Sequence, residues 1–301
     1  MPLAPGQISP LTHTATARDV ARRARDLMAA IANTHPHLTA TNTPRHTAAA
    51  RNYARDDREF WQHRPYQTGD TPRQIDWRRS GRSDDLLVRQ LQRHDDHGVS
   101  IWVDTGKNMT YCGPASATSK LATALIPTLA TAGHLSANVT KINWIDITNP
   151  SVGIDDLATI YLNQTNHTPH PRADHFPKQQ AAFIVTDGWQ DLDTLTTWLT
   201  NIHARTGNTT IMLVTDPAEH SLPYSGRARF FWDNTQTDLI ENIDDIRADY
   251  QQRINAQILA IQNLCHAQGI TLIRHQSDHP TTASLCHAII DGLAQSNLGA
   301  G

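Results

Sequence analysis

Residues 64–104 read RPYQTGDTPRQIDWRRSGRSDDLLVRQLQRHDDHGVSIWVD. A polar run dense in arginine, aspartate and tryptophan passes straight into a short apolar segment, Val99-Ser-Ile-Trp-Val103, which ends on Asp104. Polar density of this kind does not build a core, whereas a compact apolar run behind Gly98 reads as a buried strand. From Val99 onward strands and helices alternate. Strands are expected at Val139–Ile147, Ala181–Thr186, Thr209–Thr215 and Ile270–Arg274. Helices are expected at Ser116–Ala132 (with Pro127 as kink or true start), Asp155–Leu162, Asp191–Arg205, Asp238–His266 and Thr281–Ala294. This alternation predicts an α/β fold, a doubly wound, mostly parallel, Rossmann-type sheet with helices on both faces.

Upstream, residues 15–33 place Val20, Ala24, Leu27, Met28 and Ile31 on one face of an amphipathic helix. Residues 34–50, rich in Thr, His and Pro, read as a connector. The organisation expected is therefore an N-terminal helix and connector over 1–50, a polar segment over 51–98 packed on the main domain, and an α/β domain over 99–296. Residues 217–236 read as an irregular loop. The Asp238–His266 helix carries apolar positions at three-and-four spacing from Leu239 to Cys265, and Gly269 is its expected stop.

Composition narrows the class. With 301 residues, 39% hydrophobic and 18% charged, the chain is long enough to bury a full core. A net charge of −3 gives no global attraction to nucleic acid or anionic membrane. Arginine greatly outnumbers lysine, which stands only at Lys107, Lys120, Lys141 and Lys178. Cys112, Cys265 and Cys286 are too few and scattered for a disulfide framework or a CxxC metal site. The opening MPLAPGQISP lacks the basic and apolar regions of a signal peptide, and no apolar stretch is long enough to span a bilayer. These features lead to the expectation of a cytoplasmic protein.

Three expected strands are followed at once by aspartate: Asp104, Asp187 and Asp216. In a parallel sheet all carboxyl ends share one edge, where ligands sit at the switch point of doubly wound folds. Asp216 precedes Pro217 and reads as a cap for the next turn. For Asp104 and Asp187 a capping role and a binding role both stand. No GxxxxGK[ST], HExxH or GxSxG occurs, which removes the P-loop and the commonest metalloprotease and serine-hydrolase signatures. His94-Asp-Asp-His97 and the His167-x-x-His170 run with Asp174 and His175 lack zinc spacing and read as solvated loops. Cys112 reads as a small packed side chain, and Phe230-Phe-Trp232 as loop or strand packing.

The Asp104-Thr-Gly106-Lys107-Asn108 loop, paired with Asp187-Gly188, resembles the metal-ion-dependent adhesion site of von Willebrand factor A domains. That resemblance implies Mg²⁺ held by Asp104, Asn108 and Asp187 in an oxygen shell. Gly106 and Asn108 replace the two serines of the pattern, so the site is degenerate. Lys107 places a cation beside it, able to neutralise the carboxylates without a metal. A wider match runs through Arg64, Tyr66, Gly69-Asp70, Arg73, Ile75-Asp76-Trp77, Ser80 and Arg82. With the later Asp216-Pro-Ala-Glu219-x-x-Leu222-Pro223 loop, it resembles domain-of-unknown-function family 58, with Pro65 and Gly81 departing from its typical run.

The family resemblance implies a von Willebrand A-like domain in a protein commonly encoded beside a MoxR-type AAA+ ATPase. It further implies action as that ATPase's substrate-recruiting or assembly partner for an unidentified client protein, with no established enzymatic activity. Physically, Asp70, Arg73, Asp76, Arg78 and Arg82 suit either an ion-pair network clamping the polar segment or a set of arginines presented to a partner. The reading adopted is a non-enzymatic interaction module that binds no nucleic acid. The alternatives are a divalent-metal hydrolase and a scaffold with a dead metal site.

Overall fold

A computed structural model describes residues 15–34, 58–65, 87–93, 98–137, 140–147, 152–164, 170–231 and 237–294. The chain divides into two units, Met1–Thr39 with Gly98–Gly301, and Ala40–His97. The first helix, α1 (Ala17–Thr34), belongs to the larger unit. In the smaller unit β1 (Arg58–Pro65) and β2 (Leu87–Arg93) form an antiparallel ribbon, with Arg64 opposite Val88 and an irregularity between Phe60 and Gln62.

The larger unit is built on five parallel strands. They are β3 (Gly98–Val103), β4 (Lys141–Trp144), β5 (Ala181–Thr186), β6 (Thr209–Thr215) and, after an intervening hairpin of β7 (Ala228–Phe231) and β8 (Thr237–Ile240), β9 (Thr271–Gln276). Their order is β4-β3-β5-β6-β9. The two-residue side-chain period divides each central strand between two cores. Val99, Ile101, Val103, Phe183, Val185, Met212 and Val214 face one core, while Trp102, Ala182, Ile184, Ile211 and Leu213 face the other. Burial on both faces is what the near-continuous apolar runs require.

Four helices cover the first core: α1, α2 (Lys120–Ala137), α3 (Ile154–Asn163) and, at the end of the chain, α7 (Ala283–Ala294). The second core lies under α4 (Leu192–Thr206) and α6 (Ile243–Gln268), with the short α5 (Pro217–Ser221) between them in sequence. Val20, Ala24, Leu27 and Ile31 of α1 are buried in the first core. At Gly133 of α2, a Cβ would come within 2.6 Å of Met28 Sδ, so the two helices meet closely there. The N-terminal helix, expected as part of a separate segment, is thus a layer of the α/β unit, its apolar stripe buried in the first core.

Several boundaries differ from expectation for local reasons. Residues 116–119 stay in a loop because Ser116 is bonded to Asp216, so α2 starts at Lys120 with Pro127 inside it. The strand expected over Val139–Ile147 stops at Trp144. Asp146 turns the chain at φ +69° and accepts the Trp102 indole N–H at 3.0 Å. The expected 217–236 loop holds α5 and β7. Residues 237–240 pair with β7, and the Asn242 side chain caps Asp244 N, so the long helix starts at Ile243. Gly269 stops it in the left-handed region, at φ +71°.

Candidate functional site

Strand order places the connections of β3 and β5 on opposite courses. β3 leads toward β4 on one side, and β5 toward β6 on the other. The crevice outside their carboxyl ends is the switch point of the sheet. Val103 lies opposite Val185, so the residues just beyond, Asp104 and Thr186, come together. The Asp104 carboxylate accepts from Gly106 N at 2.8 Å and from Thr186 Oγ1 at 3.1 Å, and the same hydroxyl accepts from Gly188 N. Gly188 is required twice over. Its φ is +72°, and a Cβ there would sit 2.6 Å from Leu213 Cδ1 and 2.8 Å from Ile261 Cδ1.

Asp187 meets a cation, but not the expected one. Lys120 Nζ lies 3.0 Å from Asp187 Oδ2 and 2.5 Å from Glu219 Oε1. Lys120 is fully buried and Asp187 is 3% exposed. Lys107 and Asn108 are exposed on a short 3-10 turn anchored by the buried Met109, whereas the ammonium bonded to Asp187 is that of Lys120. Further donors come from the backbone and one indole. Trp189 N donates to Asp187 Oδ1, Asp216 N to Glu219 Oε2, and Trp189 Nε1 to Glu219 Oε1. Lys120 opens α2, where the helix dipole disfavours a cation by about 0.3–1 kcal/mol. The two carboxylates offset that cost. Burial pushes the Glu219 carboxyl above the ordinary glutamate value, against the opposing pull of Lys120 and the N–H donors.

Asp216 is the cap that its place before Pro217 suggested. Its Oδ1 accepts Ala218 N, and Glu219 reaches back to its N–H, completing a capping box. It does more than cap. Its Oδ2 also meets Gly113 N at 3.1 Å and the hydroxyls of Ser116 and Ser277, each at 2.6 Å. The loops after β3, β6 and β9 are therefore joined through one buried carboxylate. Tyr111 extends the tie, its hydroxyl 2.7 Å from that of Tyr224. Burial, then this neighbour, drives the Tyr111 phenol far above its usual range.

The donor set does not fit Mg²⁺. Asp187 and Glu219 already enclose an ammonium, and Asp104 accepts from Gly106 N and Thr186 Oγ1. A divalent ion ~4 Å from that ammonium would meet a repulsion on the order of 8 kcal/mol at an effective dielectric of ~20. Among the described residues, no group of three or more His, Cys, Asp or Glu is arranged to hold a metal.

Tyr66, Gly69, Asp70, Arg73, Asp76, Trp77, Ser80 and Arg82 lie outside the described residues, as do Arg78, Arg79, His94–His97, His167 and Trp232; for Arg64 the backbone alone is described. His170 stacks on Trp198, and Asp174 pairs with Arg172 at 2.8 Å, so neither is drawn into a metal site. Cys112 is half-buried, its thiol raised by burial and by Asp216. Phe230 packs edge-on against Tyr224. No helix among the described residues is long and apolar enough to cross a membrane.

The chain is thus an α/β protein whose parallel sheet, flanked by helices, ends in a buried polar cluster at its switch point. Residues 62–259, more than half of the chain, match the family described as protein of unknown function DUF58, and the chain belongs to that family. No curated protein matches it. One solved structure, described as "The active site of a carbohydrate esterase displays divergent catalytic and non-catalytic binding functions", is similar at 9% identity. That match covers 73% of this chain and 74% of the other, and its TM-score of 0.26 carries no argument.

Proposed function

We propose that this protein is a non-enzymatic interaction module, the adaptor of a MoxR-type AAA+ ATPase acting on a client protein in the cytoplasm. On this reading the larger unit is a von Willebrand A-like domain, and its partner-facing edge is the carboxyl edge of β3 and β5. Membership of the DUF58 family supports the partner class, through what the sequence resemblance implies. The observation that carries the reading is the burial of the edge's charged groups. Asp104, Asp187, Asp216 and Lys120 are all at most 4% exposed, and each is bonded to other groups of the protein. A hydrolase needs a carboxylate, base or metal facing its substrate. Here the polar groups fix loop shape from beneath, while Lys107, Asn108, Thr110, Pro114, Ala115 and Ala117 are what the loop after β3 shows to solvent.

Co-purification with a MoxR-type ATPase from the same genome tests the reading. Association is expected in at least one nucleotide state, and it should weaken in a Lys107→Glu, Asn108→Ala variant whose fold is unchanged. Failure to associate in every nucleotide state would overturn the proposal.

A further inference from the structure

The sequence resemblance implies a divalent ion at this edge, and the residues present do not accommodate one. We infer that Lys120 is a resident cation, whose ammonium holds the edge together in the role a divalent ion plays at an adhesion site. The inference rests on the reading of this edge as the partner-binding surface and adds how that surface keeps its shape. Three segments converge on the ammonium. Lys120 comes from the start of α2, and its own N–H is bonded to Tyr111 O at 3.0 Å, which joins it to the loop after β3. Asp187 comes from the end of β5, and Glu219 from α5, just after β6.

Asp187 and Glu219 supply two carboxylates against one ammonium, and Asp216 N and the two Trp189 N–H groups fix those carboxylates in place. The lysine side chain is fully buried, so its ammonium meets carboxylates rather than solvent. Buried lysine is uncommon without such pairing. A tethered ammonium differs from a bound ion in one decisive respect: it cannot be chelated or diluted away. Edge geometry is then indifferent to the supply of Mg²⁺.

Thermal unfolding of the full chain in EDTA, in excess Mg²⁺ and in excess Mn²⁺ tests this. The wild-type Tm should agree within about 1 °C across the three conditions, since a ligand bound only by the native state would raise it. A rise with either ion that disappears in Asp187→Asn would overturn the inference. Lys120→Gln, which frees Asp187 and Glu219 to receive an ion, should have a lower Tm than wild type, partly recovered by Mg²⁺ or Mn²⁺. A folded Lys120→Gln protein that ignores both ions would also overturn it; if that variant does not fold, the wild-type comparison decides. Neither arm contains the ATPase. Lack of association would therefore sink the partner reading and leave this result standing, and metal-dependent stability would do the reverse.

Discussion

Replacing Lys120 by methionine keeps most of the stem volume and removes the charge, leaving Asp187 and Glu219 buried without their shared cation. Removing one partner of a buried ion pair costs ~3–5 kcal/mol. Two features of this site pull the expected loss toward the lower end, about 3 kcal/mol. Asp187 keeps the Trp189 N–H, and Glu219 keeps the Asp216 N–H and the Trp189 indole. Glu219 can also take up a proton, since burial already raises its pKa from 4.5. Urea unfolding followed by far-UV circular dichroism at 25 °C measures the loss. The Lys120→Met, Glu219→Gln double variant, missing one charge of each sign, should lose less than the sum of the single variants, by ~1–3 kcal/mol. The sign of the pH effect follows from the raised carboxyl. A native state that binds the Glu219 proton more tightly than the unfolded chain gains stability as pH falls. Without Lys120, which pulls the Glu219 pKa down, that carboxyl rises further, so the Lys120→Met deficit should be full where Glu219 is ionised in both proteins and shrink as pH falls through the variant's folded-state value toward that of wild type. A single-variant loss below about 1 kcal/mol, or no coupling to Glu219, would refute the resident-cation argument.

Gly188→Ala should cost about 1–3 kcal/mol in the same unfolding assay, because φ +72° strains any Cβ and this one would collide with Leu213 and Ile261; an unchanged midpoint would mean the β5 loop relaxes freely. Asp216→Ala strips the acceptor from Gly113, Ser116, Ala218 and Ser277. It should lose on the order of 3 kcal/mol and speed amide exchange at Gly113 and Ala218. His275 is 5% exposed with an unbonded Nε2, and burial lowers it from 6.5 to about 4. Its native state resists protonation, so its contribution to stability is present above 6.5 and is lost as pH falls toward 4. His275→Gln should flatten the stability-against-pH curve over that window.

Much of the fold is legible in residue pattern alone. Residues 99–103, 181–186 and 209–215 are apolar runs of strand length, and their burial on both faces leaves little else for them to be. Asp104 and Asp187 are legible as edge residues because an aspartate directly after a buried strand must emerge at the carboxyl end. Their neutralising partner is not. Lys120 opens an apolar helix, and only the packing of α2 on the sheet brings its ammonium to the end of β5. Lys107, within the loop itself, was the cation that the sequence offered, and it is exposed. Glu219 carried a local signal, since Asp216-x-x-Glu219 behind Pro217 has capping-box spacing. Nothing local announces that the same Glu219 also reaches the lysine. Helix α1 was legible as amphipathic, but which surface it covers depends on Gly133 and Met28, far apart in sequence.

Hydrogen exchange of the full chain, alone and with the MoxR-type AAA+ ATPase proposed as its partner, tests the partner-edge claim most directly. The account predicts slowed exchange in three stretches at the carboxyl edge of the sheet, 105–116, 187–190 and 217–224, with the exposed faces of α4 and α6 unchanged. Protection confined to α4 and α6, with those three loops exchanging as in the free protein, would contradict it.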